Sequence, residues 1–153
     1  MMPVIIILIA FTISSCKKSH IDIPLDPRFN IDVVLKGAKG SGSIKFRQDS
    51  DTSKIITLET AISGLTPNYE YKLQRAVDTN IDGNCTGTAW LTLGLGLQTQ
   101  SIFTDATGKG NEQLWRSVAS IATGSIFDIH FRIIDAATME VVLTSDCYQY
   151  TVR

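Results

Sequence analysis

Three cysteines, two histidines and one run of alternating acidic and amide residues hold most of the reactive chemistry of this chain. The cysteines are Cys16, Cys85 and Cys147; the histidines are His20 and His130; the run is Asp78-x-Asn80-x-Asp82-Gly83. Thiols can pair as a disulfide, accept a covalent modification or bind a soft metal. Zinc would require four ligands, and no further cysteine or well-placed histidine completes a set around Cys85 and Cys147. Imidazole can hold copper or zinc, or serve as a general base. Oxygen ligands at alternate positions, followed by a glycine bend, suit a hard cation such as calcium. Position 12 of that loop is Ala89, however, so its bidentate carboxylate is missing. A polar turn with Asx-type hydrogen bonds accounts for the same residues and is the stronger reading. His130, Asp78, Asn80 and Asp82 therefore remain minority candidates for a metal.

Other signatures are weaker. Gly94-Leu95-Gly96 lacks the third glycine of a dinucleotide loop, and no Gly-x-Ser-x-Gly elbow accompanies His130. No catalytic residue is assigned and no cofactor is expected. Trp90, Trp115, Tyr148 and Tyr150 could form a sugar-stacking platform, although such aromatics more often pack a core or a loop. Tyr148 and Tyr150 share one face of the last strand.

The opening residues bear on location. Residues 1–15 carry no charged side chain, and an apolar run from Val4 to Phe11 precedes Ser14-Ser15. The run is too short to span a bilayer and ends in small residues, as an export signal does. Ile13-Ser14-Ser15-Cys16 resembles the bacterial lipobox, whose cysteine is diacylated and becomes the mature N-terminus. That resemblance implies lipidation of Cys16, and two acyl chains anchor stably where one does not. Residues 16–27, with Lys17-Lys18, Pro24 and Pro27, then read as the lipidated cysteine and its tether. Lys17 stands where an aspartate retains some lipoproteins at the inner membrane. The expected location is the bacterial cell envelope, at the outer membrane rather than the inner. Export places Cys85 and Cys147 in an oxidising compartment, where an even pair is expected to form a disulfide. Two buried free thiols are the alternative.

The elements that position these residues read as strands of one domain, residues 28–153. The net charge of −1 and the lack of a charge block give no electrostatic reason to expect nucleic acid as partner. Ile31, Val33 and Leu35 alternate with Asp32, Val34 and Lys36; Ile44 and Phe46 alternate with Ser43, Lys45 and Arg47. Ile56, Leu58, Thr60 and Ile62 alternate with Thr57, Glu59 and Ala61. Period two marks strands with one face on a core and one in water. Glycine- and Asp/Asn-rich turns separate them, and further strands are expected at 69–76, 98–104, 111–118, 125–134, 139–145 and 147–152. Residues 112–121 could be helical by composition, but β-branched residues and Gly124 favour strand. Phe127, Ile129, Phe131 and Ile133 should face the core, which puts His130 outside beside Asp128 and Arg132. There it reads as a surface histidine paired with a neighbouring carboxylate. Many short strands and no amphipathic helix indicate an antiparallel sandwich or barrel.

A set of short motifs in order carries the reading further. These are Val34-Leu35-Lys36-Gly37, the segment from Gly42 to Gln48, Ile62-Ser63-Gly64-Leu65-Thr66-Pro67 and the loop Asp78 to Gly87 containing Cys85. Asp128-Ile129-His130-Phe131-Arg132 and Cys147 complete the set. Across roughly residues 30–150 this pattern resembles the copper–zinc superoxide dismutase family. The resemblance implies an all-β antiparallel Greek-key sandwich or barrel. It also implies a disulfide from the loop after the fourth strand, Cys85, to the last strand, Cys147. Where that family carries its His-x-His copper pair, this chain reads Tyr69-Glu70-Tyr71-Lys72-Leu73-Gln74-Arg75, and no histidine lies anywhere from 69 to 97. His130 aligns with a copper ligand but stands alone. The expectation is thus a metal-free, non-catalytic binding or interaction module tied to the membrane by its N-terminal lipid. Its protein or glycan partner is not specified by the sequence, and the family's dimerisation face makes a homodimer one option.

Overall fold

The computed structural model describes residues 25–153; the expected export signal, Cys16, His20 and the expected tether to residue 24 lie outside the described residues. Within them the chain forms strands, turns and loops, with no helix. Four long strands come first: β1 (Asn30–Lys36), β2 (Ser41–Gln48), β3 (Ile55–Ser63) and β4 (Glu70–Asp78). Four short ones follow: β5 (Leu91–Thr92), β6 (Gly94–Leu95), β7 (Gln98–Thr99) and β8 (Ser101–Phe103). The last are β9 (Gly110–Ser117), β10 (Ile126–Asp135), β11 (Val141–Ser145) and β12 (Tyr148–Thr151).

Alternation places the core. In β1, Ile31, Val33 and Leu35 are buried while Asp32, Val34 and Lys36 are exposed. In β3, Ile56, Leu58, Thr60 and Ile62 are buried at every second position. Each such Leu or Ile contributes roughly 1.5–3 kcal/mol by leaving water, which is what holds the strand to its face. Of the segment that composition allowed as a helix, residues 112–117 belong to β9, with Leu114 inward and Trp115 outward, and Val118 just beyond the strand is buried. Phe46 of β2 meets Phe131 of β10 at 6.2 Å and Tyr150 of β12 at 4.8 Å, both edge to face. Burial pushes the Tyr150 phenol above its ordinary value. Its hydroxyl donates to Gln48 Oε1 at 2.7 Å, which also accepts the Arg153 N–H at 2.9 Å.

The strands run in the order β5-β4-β10-β11-β1-β2-β3-β9-β6-β7, with β8 also on β4 and β12 also on β10. β5 at one end of this path and β6, next to its other end, are separated in sequence by Leu93 alone, so the sheet curls into a nearly closed barrel.

One expectation needs correction: the sheet is mixed, not wholly antiparallel. β6 lies parallel to β9, with Leu95 opposite Trp115. The cause is a chain crossing that does not reverse direction. β5 pairs antiparallel with β4, and Leu93 then enters the core, 3% exposed, with its N–H on Leu73 O at 2.9 Å. Gly96 arrives at β9 and donates its N–H to Trp115 O at 3.0 Å. Gly96 has a φ of 69°, and a Cβ there would meet Trp115 Cη2 at 2.6 Å. Only glycine suits both the backbone and the ring. The same crossing divides the strand expected at 98–104: β7 pairs with β6 and β8 with β4.

Candidate functional site

The loop after β4, residues 79–90, lies over the outer face of β4 and β10, and three fastenings hold it there. Asp78 and Asp128 are opposed in register across β4 and β10. Asp78 Oδ2 accepts the N–H groups of Thr86 at 2.8 Å and Gly87 at 3.0 Å. Asp128 Oδ2 accepts those of Asp82 at 3.0 Å and Gly83 at 2.8 Å. The third fastening is covalent: Cys85 is bonded to Cys147, with Cα atoms 5.3 Å apart, within the span a disulfide requires.

Asp128 is 1% exposed, and its Oδ1 has no protein partner. Strand parity pointed this side chain outward, and it does point away from the core. The loop covers that face, so outward does not mean solvated. His130 differs from expectation for the same reason. It is half-buried and pairs with no carboxylate; its Nε2 lies 3.1 Å from Gly87 O, which makes that nitrogen the proton donor. Its ring packs on Trp90 at 4.6 Å. Arg132 places its guanidinium 4.0 Å from the Trp90 ring and donates from Nε to Gln74 Oε1 at 2.7 Å. Gln74 in turn donates to Thr92 Oγ1 at 2.9 Å. Burial alone lowers the Arg132 pKa.

The calcium candidates do not converge. Asp78 is turned to the backbone of residues 86 and 87. Asn80 Nδ2 donates to Asp82 Oδ2 at 2.6 Å, and Asp82 Oδ1 accepts the Asn84 N–H at 2.9 Å. The second is an Asx-type turn and the first a side-chain bond within the same loop. Among the described residues, no three or more His, Cys, Asp or Glu side chains are grouped so as to hold a metal ion.

The aromatic residues do not make a common platform. Tyr150 is core and Trp90 is packed beside His130. Tyr148 uses its hydroxyl to accept the Val34 N–H at 3.0 Å. Trp115 is 38% exposed on β9, a strand that does not pair with β12.

Sequence reading missed a second feature. A cavity of about 130 Å³ lies inside the curled sheet, walled by Phe46, Leu58, Phe127, Phe131, Val118 and Tyr150. Two arginines, Arg75 of β4 and Arg116 of β9, complete its lining. Parity was the available signal: Arg75 falls between inward Leu73 and Val77, and Arg116 between inward Leu114 and Val118. Burial, and then the charge of Arg116, push the Arg75 pKa down.

Comparison with protein-family models and with curated proteins finds no match to this chain.

Proposed function

We propose that this chain is a non-catalytic binding or interaction domain of the bacterial cell envelope. In this reading it is held at the membrane by lipid on Cys16 and built on a superoxide dismutase-like Greek-key fold. The strand neighbours support the fold. β1, β2 and β3 are consecutive antiparallel partners, β4 leaves them to pair with β10, and β9 returns to β3. Non-sequential returns of this kind build Greek keys. The disulfide supports it too, since Cys85 follows the fourth strand and Cys147 immediately precedes the last.

One observation carries the functional reading. Where the resembled family holds its metals, the polar side chains of this chain are bonded to the protein itself. His130 faces a carbonyl, Asp78 and Asp128 hold loop N–H groups, and Trp90 packs against the imidazole. Copper that cycles between oxidation states needs several imidazoles, and zinc needs four ligands. His130 is the one imidazole among the described residues, so these residues do not fit either centre.

The test has two parts, both on the full-length chain. Superoxide consumption after incubation with copper and zinc should not exceed that of the same metals in buffer. Turnover above that level contradicts the non-catalytic reading. Labelled palmitate should enter the wild-type chain and be lost, with membrane association, in Cys16→Ala. Labelling that survives Cys16→Ala removes the anchor.

A further inference from the structure

We infer that the cavity inside the curled sheet binds a small monocarboxylate with an apolar body, its carboxylate held by Arg75 and Arg116. The inference rests on the binding-domain reading and gives that domain a ligand class. The cavity is shaped for an apolar body. Its walls are aromatic and aliphatic side chains from β2, β3, β4, β10 and β12 and from Val118 and Ile121 after β9, and its volume is about 130 Å³. An apolar cavity of about 150 Å³ holds one benzene ring. The matching body is therefore one aromatic ring or a short alkyl chain.

The two arginines supply the head-group chemistry. No Asp or Glu lines the cavity. Among the described residues Arg75 makes no side-chain hydrogen bond or ion pair, while Arg116 gives one donor to Gly96 O at 2.9 Å. Two half-buried like charges beside apolar walls oppose each other and lose hydration, and folding alone gives no return for that arrangement. An anion between them removes both penalties. A guanidinium fork matches a carboxylate with two parallel N–H···O bonds, which a lysine cannot provide. A phosphate dianion would bring more charge to desolvate into a site whose remaining lining is apolar.

The experiment is calorimetric titration of the full-length chain, in detergent, with benzoate and hexanoate against benzyl alcohol and hexanol. Metal content is measured on the same sample. The acids should bind saturably at one site, and the alcohols more weakly by roughly tenfold or more. Arg75→Gln and Arg116→Gln should each weaken the acids by a similar factor and leave the alcohols unchanged. Arg75→Lys, which keeps charge but loses the fork, should fall between. Acids that bind no better than alcohols, or bind Arg116→Gln as they bind wild type, overturn the inference. Loss of fold in Arg75→Gln would make that arginine structural and also overturn it. No carboxylate binding by a metal-free sample sinks this inference alone, whereas a stoichiometric metal in that sample sinks the binding-domain reading beneath it.

Discussion

Asp78 and Asp128 stand opposite each other on β4 and β10, and each holds two backbone N–H groups of the same loop. This pair explains why residues 79–87 lie flat on the sheet. Two adjacent carboxylates on one face would repel in isolation, and four N–H donors compensate both.

Removing either carboxylate should release the loop, with the buried one mattering more. Asp128→Asn replaces an acceptor beneath the loop and should cost about 2–3 kcal/mol, the scale of hydrogen bonds to a charged group. Asp78→Asn, less buried, should cost about 1 kcal/mol. Urea unfolding gives both values, and amide exchange should rise at residues 82–87 in each variant. Equal costs would show that burial of Asp128 is not what sets the difference.

The disulfide closes a loop of 62 residues. On the chain-entropy account the bridge contributes about 4 kcal/mol, an upper value where the reduced chain keeps structure. Cys85→Ser with Cys147→Ser should therefore lower the unfolding midpoint in urea and steepen the slope, because the unlinked denatured chain exposes more surface. An unchanged midpoint would place the loop's stability in Asp78 and Asp128 alone.

Acid should destabilise the domain through three carboxylates, the exposed Asp105 and the half-buried Asp26 and Asp135. Hydrogen bonds and the charge of Arg28 lower Asp26 from 3.8 to about 2. Hydrogen bonds from Thr107 and Lys109 lower Asp105, and Asp135 is lowered chiefly by the Thr138 N–H. Each folded-state value lies below its unfolded value, so the stabilisation is present above about pH 4 and is lost as pH falls through the folded values. Tm should therefore drop below pH 4, and Asp135→Asn should drop less steeply over that range. A Tm flat from pH 5 to pH 2 contradicts this assignment.

Gly96→Ala tests the parallel crossing. The substitution places a Cβ against the Trp115 ring at a φ of 69° and should cost roughly 1–3 kcal/mol. Trp115 fluorescence should shift as the ring is displaced. No loss of stability would mean that the 93–96 crossing is not held by this contact.

Period-two alternation makes the long strands and the core legible from the sequence, because one face of each is buried and the other is not. Phe127, Ile129, Phe131 and Ile133 turn inward as their spacing requires. The 91–99 segment has no such period. Its route depends on Leu93 entering the core and Gly96 meeting Trp115, contacts between residues distant in sequence. Alternation also says which side of a sheet a residue takes, not what covers that side. It therefore predicts that His130 and Asp128 meet water, whereas a loop lies over them. The arginine pair was within reach of the same alternation, since Arg75 and Arg116 occupy inward positions between apolar neighbours.

Elemental analysis of the purified full-length chain, after exposure to copper, zinc and calcium and exhaustive buffer exchange, tests the central claim most directly. The account predicts less than about a tenth of an equivalent of each metal, because no set of ligands converges among the described residues. A full equivalent of copper or zinc that disappears in His130→Ala would contradict it. So would a full equivalent of calcium that disappears in Asp78→Ala, which would make the loop over β4 and β10 a cation site.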